Sequence, residues 1–220
     1  GSISSSGSLS IEAGELDNTQ GRLLAGDTLR IEGSTATLSI NNAQGEIGEI
    51  NSGVSTTIIV AALSGDGVVS SAGNLDIRLT ETFVNEASGK LQAGGSLTIH
   101  TDDGLINHGQ IAASDQTRVN ALSITNEITG EINGGNTQLT AAGLVTNRGL
   151  IDGHDTHVDA YEVHNLGSGR IFGDRVSIQA QTLLNDREAT PEGLKSASLM
   201  SRGDMHLGVQ NIINRDGSLI

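Results

Sequence analysis

Residues 81 to 121, "ETFVNEASGKLQAGGSLTIHTDDGLINHGQIAASDQTRVNA", carry one pattern twice. Asn85 is followed by Gly89, Leu91, Ala93, Leu97 and Ile99, and Asn107 by Gly109, Ile111, Ala113, Thr117 and Val119. Leu97 and Ile99 flank a polar Thr98. Successive side chains of a strand point to opposite faces, so this period of two predicts a strand with one aliphatic face turned inward.

The same unit recurs along the chain. Aligned on the asparagine, it places Asn18, Asn42, Asn85, Asn107, Asn126, Asn147, Asn165, Asn185 and Asn214 at spacings of 24, 43, 22, 19, 21, 18, 20 and 29. The interval of 43 holds two periods, because "SGDGVVSSAGNLDIRL" keeps Gly67, Val69, Ser71, Leu75 and Ile77 without the asparagine. The chain thus reads as roughly ten copies of a unit of about 20 residues, the signature of a repeat architecture. Leu29 and Ile31, Leu75 and Ile77, and Val176 and Ile178 repeat the alternation. A second short strand recurs in "GRLLAG", "GKLQAG", "GQIAAS", "GEINGG", "GLIDGH" and "GRIFGD", with a central aliphatic residue inward. Strands this short, joined by turns rich in Gly, Asn and Asp, leave no room for a helix.

Such a unit cannot bury its apolar face alone, so neighbours must stack, strand on equivalent strand, about 4.8 Å apart. The expected fold is all-β: a parallel β-helix, or β-solenoid, of about ten coils and about 45 to 50 Å in length. Residues 1–220 form one repeat domain on this reading. Composition agrees: Phe83, Tyr161 and Phe172 are the only aromatics, and 30 glycines accompany the aliphatics. A narrow tube suits Leu, Ile, Val, Ala and Gly, which bulky rings would overpack.

Each asparagine follows aliphatic residues, as in "TLLN", "GLIN", "LVTN" and "IIN", and so falls where a strand turns a corner. Stacking then sets asparagine above asparagine. A carboxamide both donates and accepts, so a column of them can bond along the axis, whereas a column of aspartates would repel itself. These nine residues are the candidate structural site, an asparagine ladder.

Two stretches bend the pattern. "NDREATPEGLKSAS" contains the one proline, Pro191, which cannot donate to a ladder, so residues 186–198 are expected to leave the tube as an external loop. "GEIGEINSGVSTTIIVAALSGD", residues 45–66, is the least regular repeat, and its run "TTIIVAAL" is expected to be a wall strand covered on both faces.

The 12 Lys and Arg against 26 Asp and Glu give a net charge of −14 and argue against nucleic-acid binding, which needs clustered bases. No apolar run is long enough to span a bilayer, so no membrane insertion is expected of this segment. "GSISSSGSLS" lacks the regions of a signal peptide, and the chain reads as an internal piece of a longer one. Absence of cysteine rules out disulfides and removes an obstacle to export through a narrow pore.

Chemistry-bearing groupings are sparse. His154, Asp155, His157 and Asp159 in "DGHDTHVDA" come nearest to a metal site. With Thr156 and Val158 inward, Asp155, His157 and Asp159 share a flat outer face that does not force convergence, so no metal site is expected. Arg202, Gly203 and Asp204 spell an integrin-type tripeptide at a turn, too short to specify recognition. No phosphate loop precedes a helix, and no nucleophile, base and orienter come together, so neither cofactor nor catalytic residues are expected.

Units such as "GLINHGQIAASDQTRVNA" and "LVTNRGLIDGHDTHVDA" resemble the haemagglutinin repeats of filamentous haemagglutinin adhesins and of contact-dependent inhibition exoproteins. The stretch "TLLNDREATPEGLKSASLMSRGDMHLGVQNIINRDGSLI" is similar to segments of the same proteins. The resemblance rests on Asn-x(1-3)-Gly-x-aliphatic-x-small repeated along the whole chain. It implies a right-handed β-helix, export through an outer-membrane two-partner (type V) transporter, and a non-enzymatic filament on the surface of a Gram-negative bacterium. Such a filament adheres to a target-cell receptor or holds a receptor-binding tip and toxin away from the membrane. The Asn-Pro-x-Gly motifs of the family's secretion domain are absent here, so the transporter would act through a region outside this chain. A polysaccharide lyase of the same architecture is the alternative; it needs clustered carboxylates, a basic residue and usually aromatic platforms on neighbouring coils.

Overall fold

The computed structural model describes residues 1–33, 37–49 and 55–220, and among them there is strand, turn and no helix. Among the described residues, no helix is long and apolar enough to cross a membrane. The strands form three walls. Wall one stacks ten segments, beginning Ser2–Ser5, Arg22–Ala25, Glu46–Glu49, Val68–Ser71 and Lys90–Ala93 and ending with Ser198–Ser201. Wall two includes Leu9–Ala13, Leu29–Gly33, Ser55–Val60, Asn74–Leu79 and Leu97–Thr101. Wall three includes Glu15–Asp17, Ser39–Asn41, Ala62–Ser64, Phe83–Asn85 and Gly104–Asn107.

The walls pair in parallel from coil to coil, position on equivalent position: Asn85 on Asn107, Leu91 on Ile111, Leu97 on Thr117 and Ile99 on Val119. The exception is wall three, where Glu15–Asp17, Ser39–Asn41 and Ala62–Ser64 form a separate sheet below Phe83–Asn85. This is the β-solenoid that the period demanded, with ten rungs and about nine turns of about 20 residues between first and last. At about 4.8 Å per step the nine turns rise about 43 Å.

The core is the tube interior. Leu29, Ile31, Ile77, Leu97, Ile99, Ile111, Ile132, Ile151, Ile171 and Ile178 have no exposure or almost none, while their polar neighbours face out. Phe83 is the one aromatic inside, at 2% exposure. Tyr161 lies outside at 58%. Toward the carboxy-terminal half the walls fuse into continuous bent strands, Glu131–Asn147 and Leu150–Leu166. At the bend between walls one and two the inward position passes from leucine to threonine. Thr117, Thr137 and Thr156 are buried, and each hydroxyl donates at 2.6 Å to a backbone carbonyl: those of Asn133, Asp152 and Phe172. A buried hydroxyl left without a partner would be costly, and the carbonyl of the next coil supplies one.

The irregular repeat differs from expectation. In "TTIIVAAL" the side chains of Thr56, Ile58 and Val60 point in, but Thr57 and Ile59 are half-buried on the outer face, so the strand is covered on one side only. An apolar run here still obeys period two because nothing packs on the outside of the wall. In the same coil, at the corner before this strand, Glu49 occupies the column of Ala25. Its carboxylate accepts from Thr56 Oγ1 at 2.8 Å, from Ser71 Oγ at 2.9 Å and from the Ala72 amide at 2.9 Å. Residues 50–54 of this repeat lie outside the described residues.

Within residues 186–198 the chain forms an ordered arm. Asp186 still pairs with Leu166 and Ser198 with Arg170. Between them Arg187–Thr190 and Gly193–Ser196 pair antiparallel, closed by Pro191 and Glu192, with Gly193 at φ +108°. The hairpin folds back over earlier coils: Arg148 donates to both Glu188 carboxylate oxygens, at 2.7 and 3.0 Å.

Candidate functional site

The most regular polar feature of the molecule is the corner where wall three ends. Asn18, Asn42, Asn85, Asn107, Asn126, Asn147, Asn165 and Asn185 are all 4% exposed or less, although each carries a carboxamide. Nδ2 of each donates to Oδ1 of the asparagine on the following coil wherever one stands there: Asn18 to Asn42 at 2.7 Å, Asn85 to Asn107 at 2.7 Å, Asn107 to Asn126 at 2.8 Å and Asn126 to Asn147 at 2.9 Å. Asn147 to Asn165, Asn165 to Asn185 and Asn185 to Asn214 continue at 2.9, 2.8 and 2.8 Å. The second Nδ2 hydrogen reaches the first carbonyl of the wall-one strand that follows the partner asparagine, as from Asn126 to Leu150 at 3.1 Å and from Asn165 to Ser198 at 3.0 Å. All these amides point the same way along the axis. Aligned hydrogen-bonded dipoles polarise one another, so the row is stronger than separate pairs.

The glycine of the repeat belongs to the same corner. A Cβ at Gly130 would overlap Asn126 Oδ1 and the Asn107 carbonyl oxygen, so the carboxamide can tuck under the turn only where the side chain is hydrogen.

The column has one interruption. Asn41 registers with Ser64, which carries Asn42 onto Gly65, a residue at φ +100°. Asn42 Nδ2 has no carboxamide above it and donates to the Val68 carbonyl at 3.2 Å.

On the outer corner between walls one and two, His154, Asp155, His157 and Asp159 do not converge. Asp155 pairs with Arg175 one rung above, and its carboxyl is held below the ordinary range chiefly by that hydrogen bond. His154 Nδ1 lies 2.7 Å from Asp174 Oδ2. Asp174 also accepts from Arg202 Nη1 at 2.7 Å; Arg202 first, and then His154, lowers its carboxyl below the usual value. Among the described residues no three metal-binding side chains gather. Arg202 of the Arg-Gly-Asp tripeptide thus belongs to an ion pair within the rod. Further round, Asp186 accepts from Arg215 Nε at 2.7 Å and from the Arg187 amide at 2.8 Å, and both lower its carboxyl, Arg215 the more. None of these cross-rung partners is marked by a local motif; each becomes visible only when the coils are stacked.

Curated proteins and solved structures give no match to the chain. The family model of the haemagglutinin repeat matches residues 1–88, 70–160 and 191–220. The match runs over most of the stacked coils, on both sides of the Gly65 interruption, and the chain belongs to the haemagglutinin-repeat family.

Proposed function

We propose that this segment is a length of stalk in the filament of an exoprotein exported by the two-partner route to the surface of a Gram-negative bacterium. The haemagglutinin-repeat family makes it a segment of a secreted or cell-surface adhesin-type filament. The finer reading is that the stalk carries a receptor-binding or toxin-delivery region of the same exoprotein away from the membrane. Its recognition of the outer-membrane transporter would lie outside these residues.

The observation that carries the reading is the run from Asn85 to Asn214, in which every rung repeats the same walls and the same axial amide bond. A repeated unit with identical neighbours above and below extends without changing direction, and each contacts only its neighbours. Length is then set by coil number. The aromatic platforms of a sugar-cleaving cleft are not matched: Phe83 is inside, while Tyr161 and Phe172 lie on different walls.

The test uses the whole exoprotein on cells. Deleting these residues removes ten rungs and should shorten the filament by about 48 Å in electron micrographs. Replacing them with an equal number of coils from elsewhere in the filament should restore both the length and the presentation of the tip to antibody. A replacement that restores length but not tip presentation would sink the stalk reading. Incubation of the segment with polygalacturonate should give no cleavage.

A further inference from the structure

We infer that the cavity between the hairpin and wall one binds the carboxylate end of an acidic sugar. This goes beyond the stalk reading and does not depend on it.

The cavity has a volume of about 500 Å³, within the range of small-ligand sites. Its floor is an outward column on three successive rungs: Glu131 pairs with Leu150, and Leu150 with Arg170. Its roof is the hairpin tip with Pro191 and Lys195.

Arg170 is the telling residue. The chain holds 26 acids and ten arginines. Eight of the arginines form ion pairs within the rod, and Arg118 donates to Gln138 Oε1. Among the described residues Arg170 alone has no side-chain partner. The acid in its own column, Glu131, stands two rungs away, about 9.6 Å. A guanidinium presents a planar fork that fits a carboxylate with two parallel hydrogen bonds, and here that fork opens into a cavity. Lys195 adds positive charge from above, although Glu192 lies 3.3 Å from it.

The rest of the lining selects what carries the carboxylate. Thr129 Oγ1 already donates to the His108 carbonyl and Ser168 Oγ to the Arg148 carbonyl, both at 2.7 Å, so these oxygens have only lone pairs to offer. Glu131 is likewise an acceptor. A ligand must therefore bring several hydroxyl donors as well as one negative charge. A sulfate ion brings acceptors alone and would face Glu131 and Glu192. A uronic or sialic acid brings both, and Leu150 with Pro191 offers apolar surface to the carbon–hydrogen face of its ring.

The test is an amide chemical-shift titration of the 220-residue chain. N-acetylneuraminic acid or glucuronic acid should shift resonances around residues 129–131, 149–150, 168–170 and 190–195. N-acetylglucosamine and inorganic sulfate should leave them in place. R170Q should weaken the acidic sugar at least tenfold, R170K should weaken it less, and K90Q on the same wall should change nothing. Arg170 is exposed, so circular dichroism and melting of R170Q should match the parent; were they to differ, the R170K titration carries the comparison. Equal shifts with sulfate or neutral sugar, shifts centred elsewhere, or full affinity in R170Q and R170K would each overturn the assignment.

Discussion

From Asn85 to Asn214 seven asparagines make one continuous column, whereas below Asn85 the column holds Asn18 and Asn42 and stops at Gly65. Walls one and two run through the gap unchanged: Val69 stacks between Ile47 and Leu91, and Ile77 between Ile58 and Ile99. Wall three breaks with the column, since Glu15–Asp17, Ser39–Asn41 and Ala62–Ser64 form a sheet of their own. The code of walls one and two is therefore separable from the corner code. Aliphatic alternation builds the tube, and the asparagines fasten one corner of it. If so, substitutions in the wall should cost the same on either side of Gly65, and substitutions in the corner should not.

The largest effect is expected in the wall. Ile99→Ala or Ile111→Ala leaves a cavity in a tube that has no spare side chains to fill it, and should cost about 2 to 5 kcal/mol by denaturant unfolding. Thr98→Ala, outward between two buried neighbours, should cost under about 0.5 kcal/mol. Equal losses at Ile99 and Thr98 would mean that burial is not what the alternation encodes.

The corner should come next, and should distinguish the two regions. Asn126 accepts from Asn107 and donates to Asn147 and to the Leu150 carbonyl, so Asn126→Ala should cost about 1 to 3 kcal/mol. Asn42 lacks the upper carboxamide, and Asn42→Ala should cost less. Asn126→Asp adds a pH signature. Its carboxyl would be buried among acceptors, which raises the folded-state pKa above the unfolded value of about 3.9. A raised acid pKa means that the deficit relative to the parent is smallest below about pH 4 and grows as pH rises through the folded pKa. Thermal melts of parent and variant whose separation is constant from about pH 4 to 7 would show a solvated side chain at Asn126.

What the sequence disclosed follows from the range of the forces involved. Period two and the Asn-x-Gly spacing are local, so the walls, the inward set and the stacking of Asn85 on Asn107 could be read from residues 81–121. The threonine corner was legible only as an inward position, because the acceptor for Thr117 is the carbonyl of Asn133 on the next coil. Proline at position 191 led to the expectation of an external loop at residues 186–198, and it gave no sign of the antiparallel pairing of Arg187–Thr190 with Gly193–Ser196. Pro191 suits the first central position of a turn, and Gly193 takes a φ of +108° that favours glycine. The bond that seats the arm, Arg148 to Glu188, joins residues 40 apart, beyond any local pattern.

The arm itself should matter little to the tube. Glu188→Ala removes a bidentate but partly exposed ion pair, worth up to about 1 kcal/mol. Amides of residues 187–196 should then exchange faster while those of Leu97–Thr101 keep their protection. Faster exchange in both together would mean that the arm and the tube unfold as one unit.

The smallest effect should lie on the outer corner, and it has a definite direction. The Asp155 carboxyl is held below its ordinary value of 3.8 chiefly by the Arg175 hydrogen bond. A depressed acid pKa gives stability that is present above the unfolded value and is lost as pH falls through the folded one. Asp155→Asn should therefore melt slightly below the parent at a constant interval above about pH 5, and the interval should close as pH drops below 3.8. Arg175 keeps its charge throughout that window, so the closing reports the carboxylate alone. Salt should narrow the same interval at neutral pH, because an exposed pair is screened over about 10 Å at 0.1 M, whereas the Asn126 deficit, buried in the corner, should not respond. A salt-insensitive Asp155 and a salt-sensitive Asn126 would reverse the division between an outer face of screened charge and an inner corner of fixed hydrogen bonds.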